Sequence, residues 1–190
     1  MNDIMVYILL ADGFEEIEAI TPVDLLRRAG IEVNTVSITD DLAVTGGHDI
    51  VISADVLLRQ INFDIMEMLV LPGGLGGVQA ISECSAAMEL ITKTWNAEKK
   101  LAAICAAPTL LAKLDIIKGV SVVCYPSVAN EIINAGGRVI HSRQVVVDGN
   151  LITGKSAAYS ADFALELISA LRSRETAEKI SCAIMGSTYS

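Results

Sequence analysis

Three stretches of this chain carry residue types that can do chemistry, and each follows a run that reads as a strand. In Ala103-Ile-Cys-Ala-Ala-Pro108 the cysteine falls between a strand-like segment, 101–104, and a helix-like one, 108–112. Small residues on either side permit the sharp bend of a nucleophile elbow. A thiol at a helix start is exposed to the helix dipole and to free N–H groups, which favour the thiolate. The competing reading is a buried, inert thiol, because free cysteine is among the most buried residue types. The second stretch, Leu71-Pro-Gly-Gly74, opens a turn whose backbone N–H groups suit an oxyanion hole or anion nest. It is neither a P-loop nor a dinucleotide fingerprint, since no Gly-Lys-Ser/Thr follows and the glycine spacing differs. The third is Asp12-Gly-Phe-Glu-Glu-Ile-Glu18. Glu15 and Glu16 suit the positive end of a helix dipole. Glu18, set among Ile17, Ala19 and Ile20, is expected to be desolvated, with a raised pKa and a proton to donate.

Histidine supply restricts what that cysteine can do. The chain has two histidines, His48 in a turn before a strand and His141 near a strand end, and both read as surface or structural groups. A cysteine hydrolase ordinarily needs a base to activate sulfur and protonate the leaving group. No HxH, HExxH or paired Cys/His spacing offers a metal site. The expectation is no metal and no cofactor.

These groups need elements to hold them. Short apolar or β-branched runs alternate with amphipathic ones: strands are expected at 4–10, 32–38, 68–71, 101–104, 120–123, 145–147 and 151–153, and a helix over 21–29. Thr21 would be the N-cap of that helix, Pro22 its first residue and Gly30 its stop. Strands that are apolar throughout are covered on both faces, and strand–helix alternation implies a doubly wound, mostly parallel sheet sandwiched by helices. A turn at 44–52 and a hairpin built on Asp148-Gly149 suggest a small antiparallel excursion beside it. The last helix is expected over 160–171, with a further turn or two at 175–183 and a loose tail from 186. No repeat or linker interrupts the chain, so 1–190 reads as a single domain.

Composition supports this reading. With 52% hydrophobic and 19% charged residues the chain must bury a large core. Its longest apolar run, 4–11, is far short of the ~20 residues of a bilayer span, so no membrane association is expected. A net charge of −9 opposes nucleic-acid binding, which rests on clustered Lys and Arg. No signal-peptide pattern is present, and the four cysteines lack disulfide-scaffold spacing, so a cytoplasmic protein with free thiols is expected.

The four segments Ala11-Asp-Gly-Phe-Glu-Glu-Ile-Glu18, Pro22-Val-Asp-Leu-Leu-Arg-Arg-Ala-Gly30, Leu71-Pro-Gly-Gly74 and Ala103-Ile-Cys-Ala-Ala-Pro108, in that order, closely resemble the DJ-1/ThiJ/PfpI family over about residues 4–171. The subgroup of DJ-1 and its bacterial relatives is the most similar. The resemblance implies a flavodoxin-like fold and a homodimer. It makes Cys105 the nucleophile or oxidation sensor and Glu18 the buried acid beside it. It also implies an anion pocket at Gly74 and Ala106, with Gly73 adjoining. The subgroup often has a His-Pro pair near the cysteine where this chain has Tyr125-Pro126, which leaves Tyr125 as an accessory residue. The protease branch has histidine directly after its cysteine, where Ala106 stands here, so peptidase activity is not expected. An Arg-Gly-Pro-Gly-like turn of the family is replaced by Lys155-Ser-Ala-Ala158. Two functions follow from the resemblance: a stress-response protein whose Cys105 meets peroxide, or a cofactor-free glyoxalase or deglycase acting on small reactive carbonyls such as methylglyoxal.

Overall fold

The computed structural model describes residues 5–187 and 189. Ile4, the expected first strand residue, and Thr188 and Ser190 of the expected loose tail lie outside them. The strands are β1 (Met5–Leu10), β2 (Glu32–Ser37), β3 (Ala43–Thr45), β4 (Val51–Ser53), β5 (Val56–Leu57), β6 (Met66–Leu71), β7 (Lys100–Ile104), β8 (Ser121–Val122), β9 (Arg138–Val139), β10 (Val145–Asp148) and β11 (Leu151–Gly154). The helices are α1 (Glu16–Arg28), α2 (Leu75–Glu83), α3 (Ser85–Asn96), α4 (Pro108–Lys113), α5 (Ala129–Asn134), α6 (Ser160–Leu171) and α7 (Arg174–Ile184). Seven strands form one sheet in the order β10-β11-β7-β6-β1-β2-β5, parallel except for β10.

Alternation along the central strands shows why they are apolar throughout. Val6, Ile8 and Leu10 of β1 pack with Leu26 of α1 and Phe163 and Leu167 of α6 on one face. Tyr7 and Leu9 pack with Ile91 of α3 and Leu110 of α4 on the other. A strand buried on both faces has no place for alternating polar residues. The β1 chain turns to β2 on one side, whereas β6 and β7 lie on the other. The reversal of strand order beside β1 makes a crevice at the carboxyl ends of β1, β6 and β7, where doubly wound folds bind ligands.

Three sequence expectations are corrected here. The first helix starts at Glu16, not Thr21, and Pro22 lies inside it. An interior proline removes a hydrogen bond and costs about 3 kcal/mol. The burial of Ala19, Val23, Leu25 and Leu26 in the core offsets that cost. The 145–153 hairpin is the edge of the main sheet and not a separate excursion, because β11 pairs in parallel with β7. The segment expected as a strand at 120–123 shrinks to β8, which pairs with β9 in a small sheet of its own. The helix at 160–171 matches its expected span, and an antiparallel β3–β4 hairpin forms at the 44–52 turn.

Candidate functional site

Cys105 is the first residue beyond β7 and has φ of 64°, a left-handed conformation uncommon for a side chain larger than glycine. Its neighbours over-determine that conformation. The Cys105 N–H donates to the Gly154 carbonyl at 3.0 Å, and the Cys105 carbonyl accepts from the Tyr125 N–H at 2.8 Å. Strained residues persist where the surroundings hold both ends, and they cluster at functional sites. The elbow therefore exists, and the helix after it begins at Pro108, where the sequence places it. Helix α4 has six residues and begins three positions beyond the cysteine. Its dipole is a small influence on the sulfur.

Glu18, in the first turn of α1, is completely buried. Its Oε2 accepts the Gly73 N–H at 2.9 Å, while Oε1 is buried without a well-formed hydrogen bond. Burial pushes the carboxyl up to about 7, opposed by its contacts with Cys105 and the Gly73 N–H. Burial also pushes the Cys105 thiol up, and an ionised Glu18 pushes it further, whereas the Ala106 N–H draws it down. The expected low thiol pKa is thus reversed, first by burial and then by the Glu18 charge. With Glu18 neutral, that repulsion disappears.

The glycine turn after β6 explains its own composition. A Cβ at Gly73 would collide with Glu18 Oε2 and come within 2.7 Å of Cys105 Cβ, so only glycine lets acid and thiol meet there. Gly74 has φ of 89° and lies against the backbone of Gly13 and Phe14. Gly73 was expected among the anion donors. Its N–H is instead committed to Glu18, which leaves Gly74 and Ala106, whose N–H groups donate to no backbone carbonyl among the described residues.

Cys105, Glu18, Gly74, Ala106 and Tyr125 all line one cavity of about 490 Å³. Tyr125 stands half exposed on its wall. Ser127 follows from the same loop, and Ser156, Ala157 and Ala158 come from the segment after β11. Lys155 does not join them; its Nζ donates to the His141 carbonyl at 3.3 Å.

His48, read from sequence as a surface group, is also on this wall. The β3–β4 hairpin carries it there by docking on the loop after β1. Thr45 N–H donates to Asp12 Oδ1 at 2.8 Å, Gly13 N–H to the Thr45 carbonyl at 2.8 Å, and Gly47 N–H to the Phe14 carbonyl at 2.8 Å. Glu16 then accepts the His48 backbone N–H at Oε1 and lies 2.8 Å from Nδ1 through Oε2. Burial would raise the Glu16 carboxyl, but the bonds from His48 outweigh it and hold the acid below its ordinary range; the imidazole is raised in turn, first by its bond to Glu16. Among the described residues, Glu15, Glu16 and His48 are the cluster whose potential ligand atoms lie within 4.8 Å of one another. Two of the three already bond each other, so it is an acid–imidazole pair.

Known proteins are similar to this chain in sequence and in fold. The DJ-1/PfpI family model matches residues 5–170. The chain is 38% identical to protein dj-1beta of Drosophila melanogaster over 173 residues, covering 91% of this chain and 92% of that one. It is 32% identical to the Parkinson disease protein 7 homolog of Danio rerio over 177 residues, 91% and 92% of the two chains. The crystal structure of Drosophila melanogaster DJ-1beta superposes with a TM-score of 0.92 at 35% identity over 98% of this chain and all of that one. Oxidized Toxoplasma gondii DJ-1 does so with a TM-score of 0.88 at 29% identity over the same shares. With the family model matched over residues 5–170 and three of the four resembling segments lining one cavity, the chain belongs to the DJ-1/PfpI family.

Proposed function

We propose that this chain is a DJ-1-like stress-response protein that works through Cys105 as an oxidation-responsive nucleophile. The observation that carries this reading is the Cys105–Glu18 pair: a thiol on a strained elbow beside a buried carboxyl that titrates near 7. In the reaction with peroxide the thiolate sulfur forms a bond to one oxygen as the O–O bond breaks. The leaving hydroxide takes a proton and departs as water. A second peroxide oxidises the sulfenic acid to a sulfinic acid. The Gly74 and Ala106 N–H groups would hold the new oxygens, and neutral Glu18 would donate to one of them. Four free thiols fit a reducing, cytoplasmic setting. Dilute peroxide followed by peptide mass spectrometry tests the reading: Cys105 should gain oxygen ahead of Cys84, Cys124 and Cys182. Oxygen on Cys84 or Cys182 first would overturn it.

A second reading rests on the cavity, which has room for a small molecule over the sulfur. Here Cys105 adds to a reactive carbonyl and Glu18 moves the protons, with no cofactor required. Methylglyoxal should disappear with wild type and persist with Cys105→Ser.

A further inference from the structure

We propose that His48, oriented by Glu16, is the proton-relay residue of the Cys105 cavity, protonating the oxygen that becomes negative when the sulfur attacks a carbonyl. This rests on the carbonyl reading above. The geometry is that of an oriented acid–base group. Glu16 is buried and holds both the His48 backbone N–H and Nδ1 at 2.8 Å, which fixes the ring and places its mobile proton on Nε2. Nε2 has no hydrogen-bond partner among the described residues, and the side chain lines the same cavity as Cys105. No Lys or Arg lines that cavity. Thus His48 is the side chain on the cavity wall that can carry a positive charge. Glu15 lies 3.9 Å from Nδ1, and Asp49 follows it in the turn, so acids surround the ring and favour its protonated form.

The step balances without a co-reactant. The thiol proton passes to the Glu18 carboxylate and the S–C bond forms. The carbonyl π pair moves to oxygen, and oxygen takes the Nε2 proton to give a neutral hemithioacetal. Glu18 then releases the thiol proton to solvent and His48 takes one up, so that no net proton is gained or lost.

The test measures methylglyoxal consumption across pH 6 to 9 for wild type, His48→Gln, His48→Arg and Glu16→Gln, with iodoacetamide alkylation of Cys105 as the parallel readout. Alkylation creates no oxyanion and so reports the thiolate alone. His48→Gln and His48→Arg should each lose about 10²-fold in kcat with KM held within about twofold, and both should lose the alkaline fall in rate. Their alkylation midpoint should match wild type. Glu16→Gln keeps a hydrogen bond but removes the charge, and should move the alkaline limb to lower pH. The proposal is overturned if His48→Gln keeps the wild-type rate and profile, or if Arg, which preserves a cation against Glu16, restores the rate. Wild type that alkylates normally yet consumes no methylglyoxal would remove the carbonyl reading and this proposal together.

Discussion

At the scale of residues, the charge on Glu18 and the protonation of the Cys105 thiol depend on one another. Glu18→Gln keeps a hydrogen-bond donor beside the sulfur and removes the titrating charge, so Cys105 alkylation in that variant should begin at lower pH than in wild type. Glu18→Leu removes charge and donor together and should place the midpoint between the two; an identical midpoint in all three proteins would mean that the groups do not interact. Stability should respond to the same titration. Because the folded-state pKa of Glu18 is raised from 4.5 to about 7, the folded chain binds the proton more tightly than the unfolded one. Its contribution is fully present below about pH 4.5 and is lost as pH rises through about 7, a change of at most about 3 kcal/mol. Glu18→Gln should therefore gain stability relative to wild type between about pH 5 and 8, read by urea denaturation at several pH values. Gly73→Ala is expected to be severe, since the new methyl would lie between the two groups it now lets meet. Loss of Cys105 alkylation with a lowered melting temperature would mark that clash.

At the scale of elements, the site is held by short connections between strands and not by any one helix. Thr153 of β11 is fully buried, and its Oγ1 accepts the Val123 N–H at 3.0 Å, tying the segment that leads to Tyr125 onto the sheet. Thr153→Val keeps the shape but leaves a buried N–H without an acceptor, at a cost of about 1–3 kcal/mol. For a chain of this length each kcal/mol corresponds to roughly 2–4 °C in Tm. Calorimetry should show that loss. Faster amide exchange confined to residues 120–127 would assign it to this tether, whereas an unchanged Tm would show that water replaces the hydroxyl. Helix α1 illustrates a different balance. It carries Glu16 toward the hairpin and Glu18 toward the cysteine from adjacent parts of one turn, and it tolerates Pro22 because its buried face is anchored in the core.

At the scale of the whole molecule, the doubly wound sheet places three loop ends in one crevice, which gives the chemistry a position independent of its substrate. Among the described residues, no helix is long and apolar enough to cross a membrane. Several large apolar side chains nevertheless face outward near the cavity: Ile17 at the start of α1, Ile50 and Val51 on the hairpin docked against it, and Leu75 opening α2. Exposed apolar surface of this kind marks association, and homodimerisation through it is the expected state. Light scattering should report about 40 kDa, twice the 20.1 kDa of one chain. A lone monomer mass in dilute solution would contradict it, and Val51→Glu should shift a dimer toward monomer.

The sequence by itself determined the features that depend on neighbours along the chain. The strand and helix alternation, the span of α6, the turn after β6 and the bend at Cys105 all follow from local punctuation and from apolar runs too continuous for a one-sided sheet. The family was legible through four segments in order, and those segments also named Glu18 and Cys105, which line one cavity. What only the tertiary structure decided are the properties set by distance in space. Pro22 lies within a helix because burial outweighs its propensity, and β11 joins the main sheet because β7 is there to receive it. Gly73 serves Glu18 and not an anion, since its N–H points at a carboxyl 55 residues away in the chain. The thiol is raised and not lowered because it is desolvated and faces a carboxylate. His48 meets Glu16 across 32 residues of chain, through a hairpin whose docking no periodicity announces. Burial and Coulomb interaction are functions of three-dimensional separation, and a linear reading has access to that separation only where the chain is short.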